Sequence, residues 1–207
     1  YGTPPENPIP ETTRQEPVNP YGESKLFIER MLQWNSMTGG LQYVALRYFN
    51  AAGAAPDGVL GEDHSPEPHL IPNAIAAALG RRTHLDVFGT DYPTPDGTAI
   101  RDYTHVDDLA RAHISALRYL ESGQPSTAVN LGSGKGASVR EVVKCVEAVG
   151  GRPVPVREQP RRPGDPAVLI ADPRKAANVL GWRTQCSGLQ TIVETAWRWH
   201  ASQTRKG

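Results

Sequence analysis

Asn19-Pro20-Tyr21-Gly22-Glu23-Ser24-Lys25 opens the segment that decides how this 207-residue chain is read. Asn19 suits an N-cap, because its side-chain oxygen can take an otherwise unpaired N–H of the first turn. Pro20 suits the first helical position, where no N–H is needed. Leu26, Phe27, Met31, Leu32 and Trp34 then supply an apolar face, and Gly39-Gly40 ends the helix. Tyr43 to Phe49 follows as an apolar, β-rich run that suits a buried parallel strand. A capped helix feeding a buried strand is the unit from which α/β folds are assembled.

Outward from that unit the alternation continues. Residues 1–19, rich in Pro, Glu and Thr, read as an irregular surface segment, and residues 50–68 as a long functional loop. A helix is expected over 71–79, a strand over 85–88, a polar loop over 89–103, and a helix over 106–120. Then come a strand over 128–131, a helix over 139–149 capped by Ser138, and a candidate strand over 154–157. A short helix from Asp172-Pro173 to Leu180 and an amphipathic helix over 189–200 close the chain. There is no internal repeat and no low-complexity tract.

Composition narrows the function. Twenty-two basic and 22 acidic residues cancel, which leaves no electrostatic case for nucleic acid or for an anionic membrane surface. Cys145 and Cys186 make neither a metal-binding spacing nor a disulfide framework, and they fit a reducing, cytoplasmic compartment. No apolar run approaches the length that spans a membrane. The chain starts with Tyr1 rather than methionine, so it is expected to be a processed, excised or incomplete form of something longer.

Three groups of residues carry chemistry. Tyr21 and Lys25 are four apart and project from one helix face. A free tyrosine, with a pKa near ~10, is a poor base at neutral pH. A neighbouring ammonium favours the phenolate, and lysine has donors to spare for a ribose hydroxyl. That pairing suits a general base that removes an alcohol proton while hydride leaves the same carbon for a nicotinamide. Gly132-Ser133-Gly134-Lys135-Gly136-Ala137 formally fits the G-x-G-x-x-A pattern of a dinucleotide loop, with Glu158 downstream. The strand before it is short and polar, so a structural turn is the expected reading and a dinucleotide loop the alternative. No other glycine-rich loop precedes Tyr21, which places the nucleotide-binding half of such an enzyme upstream of Tyr1. Third, Arg101 and Arg161-Arg162-Pro163-Gly164-Asp165 set guanidinium groups beside a carboxylate in loops. Arginine forks suit a diphosphate and a carboxylate suits sugar hydroxyls, although a solvated turn would look the same.

Taken in order, Tyr21-Gly-x-Ser-Lys25 and Leu46-Arg47-Tyr48-Phe49-Asn50-Ala51-Ala52-Gly53-Ala54 resemble the extended short-chain dehydrogenase/reductase superfamily. The run from Phe88 through Arg101-Asp102-Tyr103 to Leu109 is more specific and resembles its UDP-glucose 4-epimerase family, as do His64 to Pro72 and the Arg-Arg-Pro-Gly-Asp turn. The resemblance covers residues 1 to about 200. It implies an α/β protein built from the C-terminal part of a Rossmann-type NAD-binding domain (residues 1–53) and a smaller α/β substrate-binding domain (mainly 54–207), with segments near 85–115 returning to the Rossmann sheet.

The resemblance also implies roles. Tyr21 would be the catalytic base, and Lys25 would tune it while binding the nicotinamide ribose. Tyr48 and Phe49 would lie near NAD. Asn50, His69 and Leu70 would contact the sugar nucleotide, Asp86, Val87 and Phe88 the uracil side, and Arg101, Tyr103, Arg162 and Asp165 the diphosphate and ribose. Leu169 falls where the family gates sugar size; leucine is intermediate there, so acceptance of N-acetylhexosamines stays open. No metal is implied. The reaction would invert C4 of a UDP-hexose through a 4-keto sugar, in a homodimer, and the chain without its NAD-binding half would be inactive. A UDP-pentose 4-epimerase and a non-enzymatic UDP-sugar-binding module are the alternatives.

Overall fold

In the computed structural model, which describes residues 1–203, Asn19 caps helix α1 (Pro20–Gly39) by accepting the Gly22 N–H at 2.8 Å. Strands β1 (Val44–Tyr48) and β2 (Asn50–Ala52) follow, then α2 (Leu70–Ala78), β3 (Leu85–Phe88), β4 (Ile100–His105) and α3 (Val106–Glu121). The chain continues through β5 (Thr127–Leu131), β6 (Gly136–Ser138), α4 (Val139–Gly150), β7 (Val156–Gln159), β8 (Val168–Leu169), α5 (Arg174–Leu180) and α6 (Leu189–Gln203). Ser138 and Glu141 form a reciprocal capping box at the start of α4.

Pairing is mostly parallel. β1 runs beside β5, with Val44 opposite Thr127 and Tyr48 opposite Leu131. β3 runs beside β7, with Leu85 opposite Val156. β4 is central: β2 pairs with its second half, while antiparallel β6 and parallel β8 pair with its first half. Two apolar cores result. Ile71, Ile75, Leu85, Val87, Val142, Val146, Ile192 and Val193 join α2, α4 and α6 to β3. Leu109, Ala112, Val129, Leu131, Ala176 and Trp182 join α3 and α5 to β5, with Val44 and Leu46 of β1 packed against them.

Several expectations are corrected. Residues 100–105, expected partly as loop, form β4, and Asp102, Thr104 and His105 on it are fully buried. Polar composition misleads there because each of these groups finds a partner inside the protein. The two- and three-residue strands β2, β6 and β8 are too short to leave a periodic signal. The strand expected at 154–157 is displaced to Val156–Gln159, while Val154 enters the core. β1 is not the fully buried strand expected: only Ala45 on it is buried, and Tyr48 is 45 % exposed. Among the described residues β1 pairs with β5 alone, leaving its other edge open. Of the apolar face of α1, only Leu26 is buried; Phe27, Met31 and Trp34 stand in solvent.

A polar chain anchors α1 instead. Arg47 on β1 forks onto both carboxylate oxygens of Glu29, at 2.8 and 2.6 Å, and donates to the Tyr1 hydroxyl at 2.7 Å. That hydroxyl donates to Asn130 Oδ1 on β5 at 2.6 Å. Charge-assisted forks of this kind fix orientation as well as energy, and here they set the face that α1 presents.

Candidate functional site

Tyr21 and Lys25 lie in the first two turns of α1, on its solvent side; Tyr21 is 72 % exposed. The Lys25 Nζ sits 5.1 Å from the Tyr21 ring centroid, so the ammonium faces the π cloud. Among the described residues Lys25 makes no ion pair, which leaves its donors available to an incoming group. Tyr48, at the end of β1, bonds His113 Nε2 at 2.7 Å. His113 Nδ1 donates to the Leu109 carbonyl at 2.8 Å, so Nε2 is the acceptor and the Tyr48 hydroxyl the donor. Burial pushes the Tyr48 phenol up, in keeping with a neutral donor. Phe49 stacks obliquely on Tyr1 at 6.4 Å.

The second group gathers on β3 and β4. Along β3, Leu85 and Val87 point into the core while Asp86 and Phe88 are only partly covered. Asp86 accepts from Arg157 Nε at 2.7 Å and Gln159 Nε2 at 2.9 Å, and these bonds hold its carboxyl down at about 2. The Arg162 guanidinium lies 3.9 Å over the Phe88 ring. Arg101 ion-pairs with Asp165, and Leu169 stands opposite Arg101 in the β4–β8 register. Arg161 lies 4.3 Å over the ring of Tyr92 and donates to Asp91 Oδ1 at 2.7 Å.

Tyr92 extends the set beyond the residues singled out from sequence, and Arg161, already a candidate from its turn, lies against it. Among the described residues the buried Tyr92 hydroxyl has no hydrogen-bond partner, and it lies beside the charges of Asp165, Arg101 and Arg161. An orphaned buried hydroxyl is costly, and a ligand that accepts or donates there removes the cost. Composition did not single it out, since a lone tyrosine in a Pro- and Gly-rich loop does not stand out there, although it lies within the Phe88 to Leu109 run that carries the resemblance. Gly89 makes the arrangement feasible: a Cβ there would lie 2.5 Å from the Tyr92 ring and 2.8 Å from Arg161 Cγ, at a φ of +81°.

Other expected residues fall elsewhere. Val87 is 3 % exposed in the core, so only its backbone could face a ligand. The Tyr103 ring is likewise in the core, and burial pushes its phenol up to about 12; its hydroxyl makes no hydrogen bond among the described residues. Asn50 Nδ2 donates to the Asp102 carbonyl at 3.1 Å. His69 holds the N-cap position of α2 with Leu70 next to it, and its Nδ1 faces Glu62 and Glu67.

The glycine cluster wraps a carboxylate. Asp102 accepts from Ser133 N (2.8 Å), Ser133 Oγ (2.6 Å), Gly134 N (3.0 Å) and Ala171 N (3.2 Å). Burial raises its pKa against these four donors. Amides committed to Asp102 cannot also cradle a pyrophosphate, so the turn reading prevails over the dinucleotide loop.

The model of the NAD dependent epimerase/dehydratase family matches residues 1–132. The chain belongs to that family. A UDP-glucose 4-epimerase from Lacticaseibacillus casei is 52 % identical over 200 residues, covering 97 % of this chain and 60 % of the relative. The crystal structure of UDP-glucose 4-epimerase from Brucella ovis in complex with NAD superposes with a TM-score of 0.93 at 54 % identity, over 95 % of this chain and 61 % of that one. A UDP-glucose 4-epimerase from Stenotrophomonas maltophila with bound NAD and formylated UDP-arabinopyranose gives 0.95 at 39 % identity, over 100 % and 62 %. The chain therefore spans about three fifths of the length of these relatives, and its α/β fold with parallel strands is theirs. Among the described residues no helix is long and apolar enough to cross a membrane.

Proposed function

We propose that the chain supplies the catalytic base and the sugar-nucleotide pocket of a UDP-hexose 4-epimerase that interconverts UDP-glucose and UDP-galactose. The observation that carries the reading is the cluster on β3 and β4. There Phe88 and Tyr92 lie under Arg162 and Arg161, beside the Arg101–Asp165 pair and an unpartnered buried hydroxyl. Aromatic faces suit a base, forked cations a diphosphate, and a carboxylate a ribose diol. Asp86, Val87 and Phe88 take the uracil side, Arg101, Tyr103, Arg162 and Asp165 the diphosphate and ribose, and Asn50, His69, Leu70 and Leu169 the region around the sugar.

Tyr21 takes the proton of the 4-hydroxyl as the phenolate, and Lys25 favours that form and reaches a ribose hydroxyl. NAD, when bound, accepts hydride from C4 and returns it. The residues present fit its nicotinamide end: Tyr21 and Lys25 are open to solvent and Lys25 has no competing ion pair among the described residues, with Tyr48 and Phe49 on the neighbouring strand and its end. The Gly132 to Ala137 loop, committed to Asp102, does not fit the pyrophosphate. Returning hydride to the opposite face after the 4-keto sugar turns over inverts C4 with no net redox change.

The two cores support assigning residues 1–53, together with α3, β5 and α5, to the cofactor side and most of 54–207 to the sugar-nucleotide side. Exposed apolar side chains on α1 (Phe27, Met31, Trp34) and α3 (Ile114, Leu117) support a homodimer. Free Cys145 and Cys186 support a cytoplasmic setting.

The test is Tyr21→Phe in the full-length protein. UDP-glucose binding should survive while kcat falls by about 10²–10⁴, the usual worth of a general base; retained turnover would remove Tyr21 from the reaction. The formylated UDP-arabinopyranose bound to the 39 % identical Stenotrophomonas maltophila enzyme favours a second reading, a UDP-pentose 4-epimerase. Faster initial rates on UDP-xylose than on UDP-glucose would establish it.

A further inference from the structure

The loop between β2 and α2 ends in Glu62, His64, Glu67 and His69, and their ligand atoms all lie within 4.8 Å of one another. From this juxtaposition we infer a divalent metal site, of a kind that suits Zn²⁺, with His64 Nδ1, His69 Nδ1 and one oxygen from each of Glu62 and Glu67 as donors. The site goes beyond the epimerase reading and does not depend on it.

Donor spacing is the first argument. Zinc takes His nitrogen at about 2.0–2.1 Å and carboxylate oxygen at about 2.0–2.2 Å in a tetrahedron, which puts ligand atoms about 3.3 Å apart. The two histidines meet the two carboxylates at close to that separation. His64 Nδ1 is 3.0 Å from Glu62 Oε1 and 3.7 Å from Glu67 Oε2; His69 Nδ1 is 3.3 Å from Glu67 Oε1 and in direct contact with Glu62. Both imidazoles turn the same nitrogen toward the same two carboxylates, with their rings edge-on at 5.3 Å. Two carboxylates cancel the dication, and mixed N/O donors are those zinc prefers over magnesium or calcium.

The second argument is that the backbone carrying the two glutamates is held from behind, and the Glu67 carboxylate with it. Trp199 Nε1 on α6 donates to the Glu62 carbonyl at 3.1 Å. Gly61 packs so tightly on that indole that a Cβ would come within 2.3 Å of it. Asn73 Nδ2 on α2 donates to the Glu67 carbonyl at 3.1 Å, and the His69 N–H to Glu67 Oε1 at 2.9 Å. Both Glu side chains are largely covered, at 18 % and 17 % exposed, while the histidines lie half in solvent and leave an entry path. The His69 N–H on Glu67 Oε1 is an outer partner of the kind that orients metal ligands, and the two carbonyl bonds fix the backbone that presents them. With four protein donors the site is closed, so its role is structural: it ties the loop to the start of α2. Binding through Nδ1 leaves His69 Nε2 free to face the sugar nucleotide.

The test uses the untagged full-length protein, stripped with a chelator and titrated with Co²⁺. One equivalent should produce the visible d–d bands of tetrahedral cobalt without thiolate charge transfer, and one equivalent of Zn²⁺ should abolish them. His64→Ala, at a half-exposed side chain, should keep the wild-type circular dichroism. It should lose at least the ~10–100-fold in metal affinity that removal of an outer partner costs. Absent bands, bands that persist unchanged in His64→Ala, or charge-transfer bands from Cys145 or Cys186 would overturn the assignment. Zinc content of protein purified without chelator gives a readout that needs no variant: about one equivalent supports the site, and none overturns it.

Discussion

Replacing Asp102 with alanine should cost the fold about 3–5 kcal/mol, because three backbone N–H groups lose their acceptor at once. The donors are Ser133 N, Gly134 N and Ala171 N, at 2.8–3.2 Å, around a carboxylate with no exposure to solvent. A buried donor left unsatisfied costs about 1–3 kcal/mol. The lower half of that range applies here. The Ser133 hydroxyl keeps its alternative acceptor in the Lys135 carbonyl at 2.9 Å, water can enter past half-exposed Ser133, and the unfavourable burial of the carboxylate is relieved. Asp102→Asn should rescue only part of this. Each carboxylate oxygen accepts two bonds; the amide can keep its oxygen on Gly134 N and Ala171 N, but its NH₂ then faces the Ser133 N–H, which stays unsatisfied. Urea unfolding followed by fluorescence reads the effect: with a slope of about 2 kcal/mol per molar, the midpoint should fall by about 2 M in Asp102→Ala. Lys135→Ala should leave NAD affinity of the full-length protein unchanged, since the loop serves Asp102. A midpoint within about 0.3 M of wild type, or an NAD affinity that drops with Lys135→Ala, would refute the reasoning and return the loop to phosphate binding.

The remaining predictions are shorter. Arg101→Ala in the full-length protein should weaken UDP binding by about 10–100-fold, the worth of a charge-assisted contact, as measured by calorimetry; unchanged affinity would detach β4 from the nucleotide site. Gly89→Ala should perturb the same site through the Tyr92 ring and Arg161, lowering both UDP affinity and thermal stability; a wild-type melting curve with wild-type UDP affinity would contradict the close approach. His105, fully buried, accepts the Asp107 N–H at Nδ1 and reaches Thr195 Oγ1 at 3.0 Å from Nε2, and burial lowers its pKa below 6.5. The unfolded chain therefore takes up the proton first: stability should be full above about pH 6.5 and fall as pH drops below it, more steeply in wild type than in His105→Gln. Urea midpoints from about pH 7.5 to about pH 5.5 measure that difference, and parallel profiles would exclude His105.

The long elements were legible in the sequence because their signals are local. Asn19-Pro20 and Ser138 mark helix starts by chemistry that acts within one turn, and Leu85 to Phe88 alternates in and out as a half-buried strand must. What stayed hidden is what depends on distant partners. Residues 100–105 look like loop because Arg101, Asp102, Thr104 and His105 are polar; their acceptors and donors lie 27 to 90 residues away along the chain. The apolar stripe of α1 is plain in the sequence, but periodicity carries no information about whether another element covers it. The Arg162 to Asp165 turn could equally have been a solvated loop on composition; only the contact with Phe88 and Arg101 gives it a direction. Glu62, His64, Glu67 and His69, whose side-chain atoms converge, stand at intervals that match no standard motif.

These hidden features share a location. β4 carries Arg101 toward the Asp165 turn, Asp102 toward the glycine loop and His105 toward Thr195 on α6, so three functional or structural connections leave one six-residue strand. Because alternate residues of a strand face opposite ways, Arg101 can address the ligand side only while Asp102 addresses the other. A one-residue slip in register against β6 or β8 would exchange them. The four donors on Asp102 are what exclude that slip, since neither Arg101 nor Tyr103 brings a carboxylate that could accept all four. The stability of the glycine loop and the aim of Arg101 at the proposed nucleotide site are thus one constraint seen from two faces. On this reasoning Asp102→Ala should lower UDP affinity even though Asp102 is fully buried on the glycine-loop side, and its loss of affinity should track its loss of stability as temperature is raised.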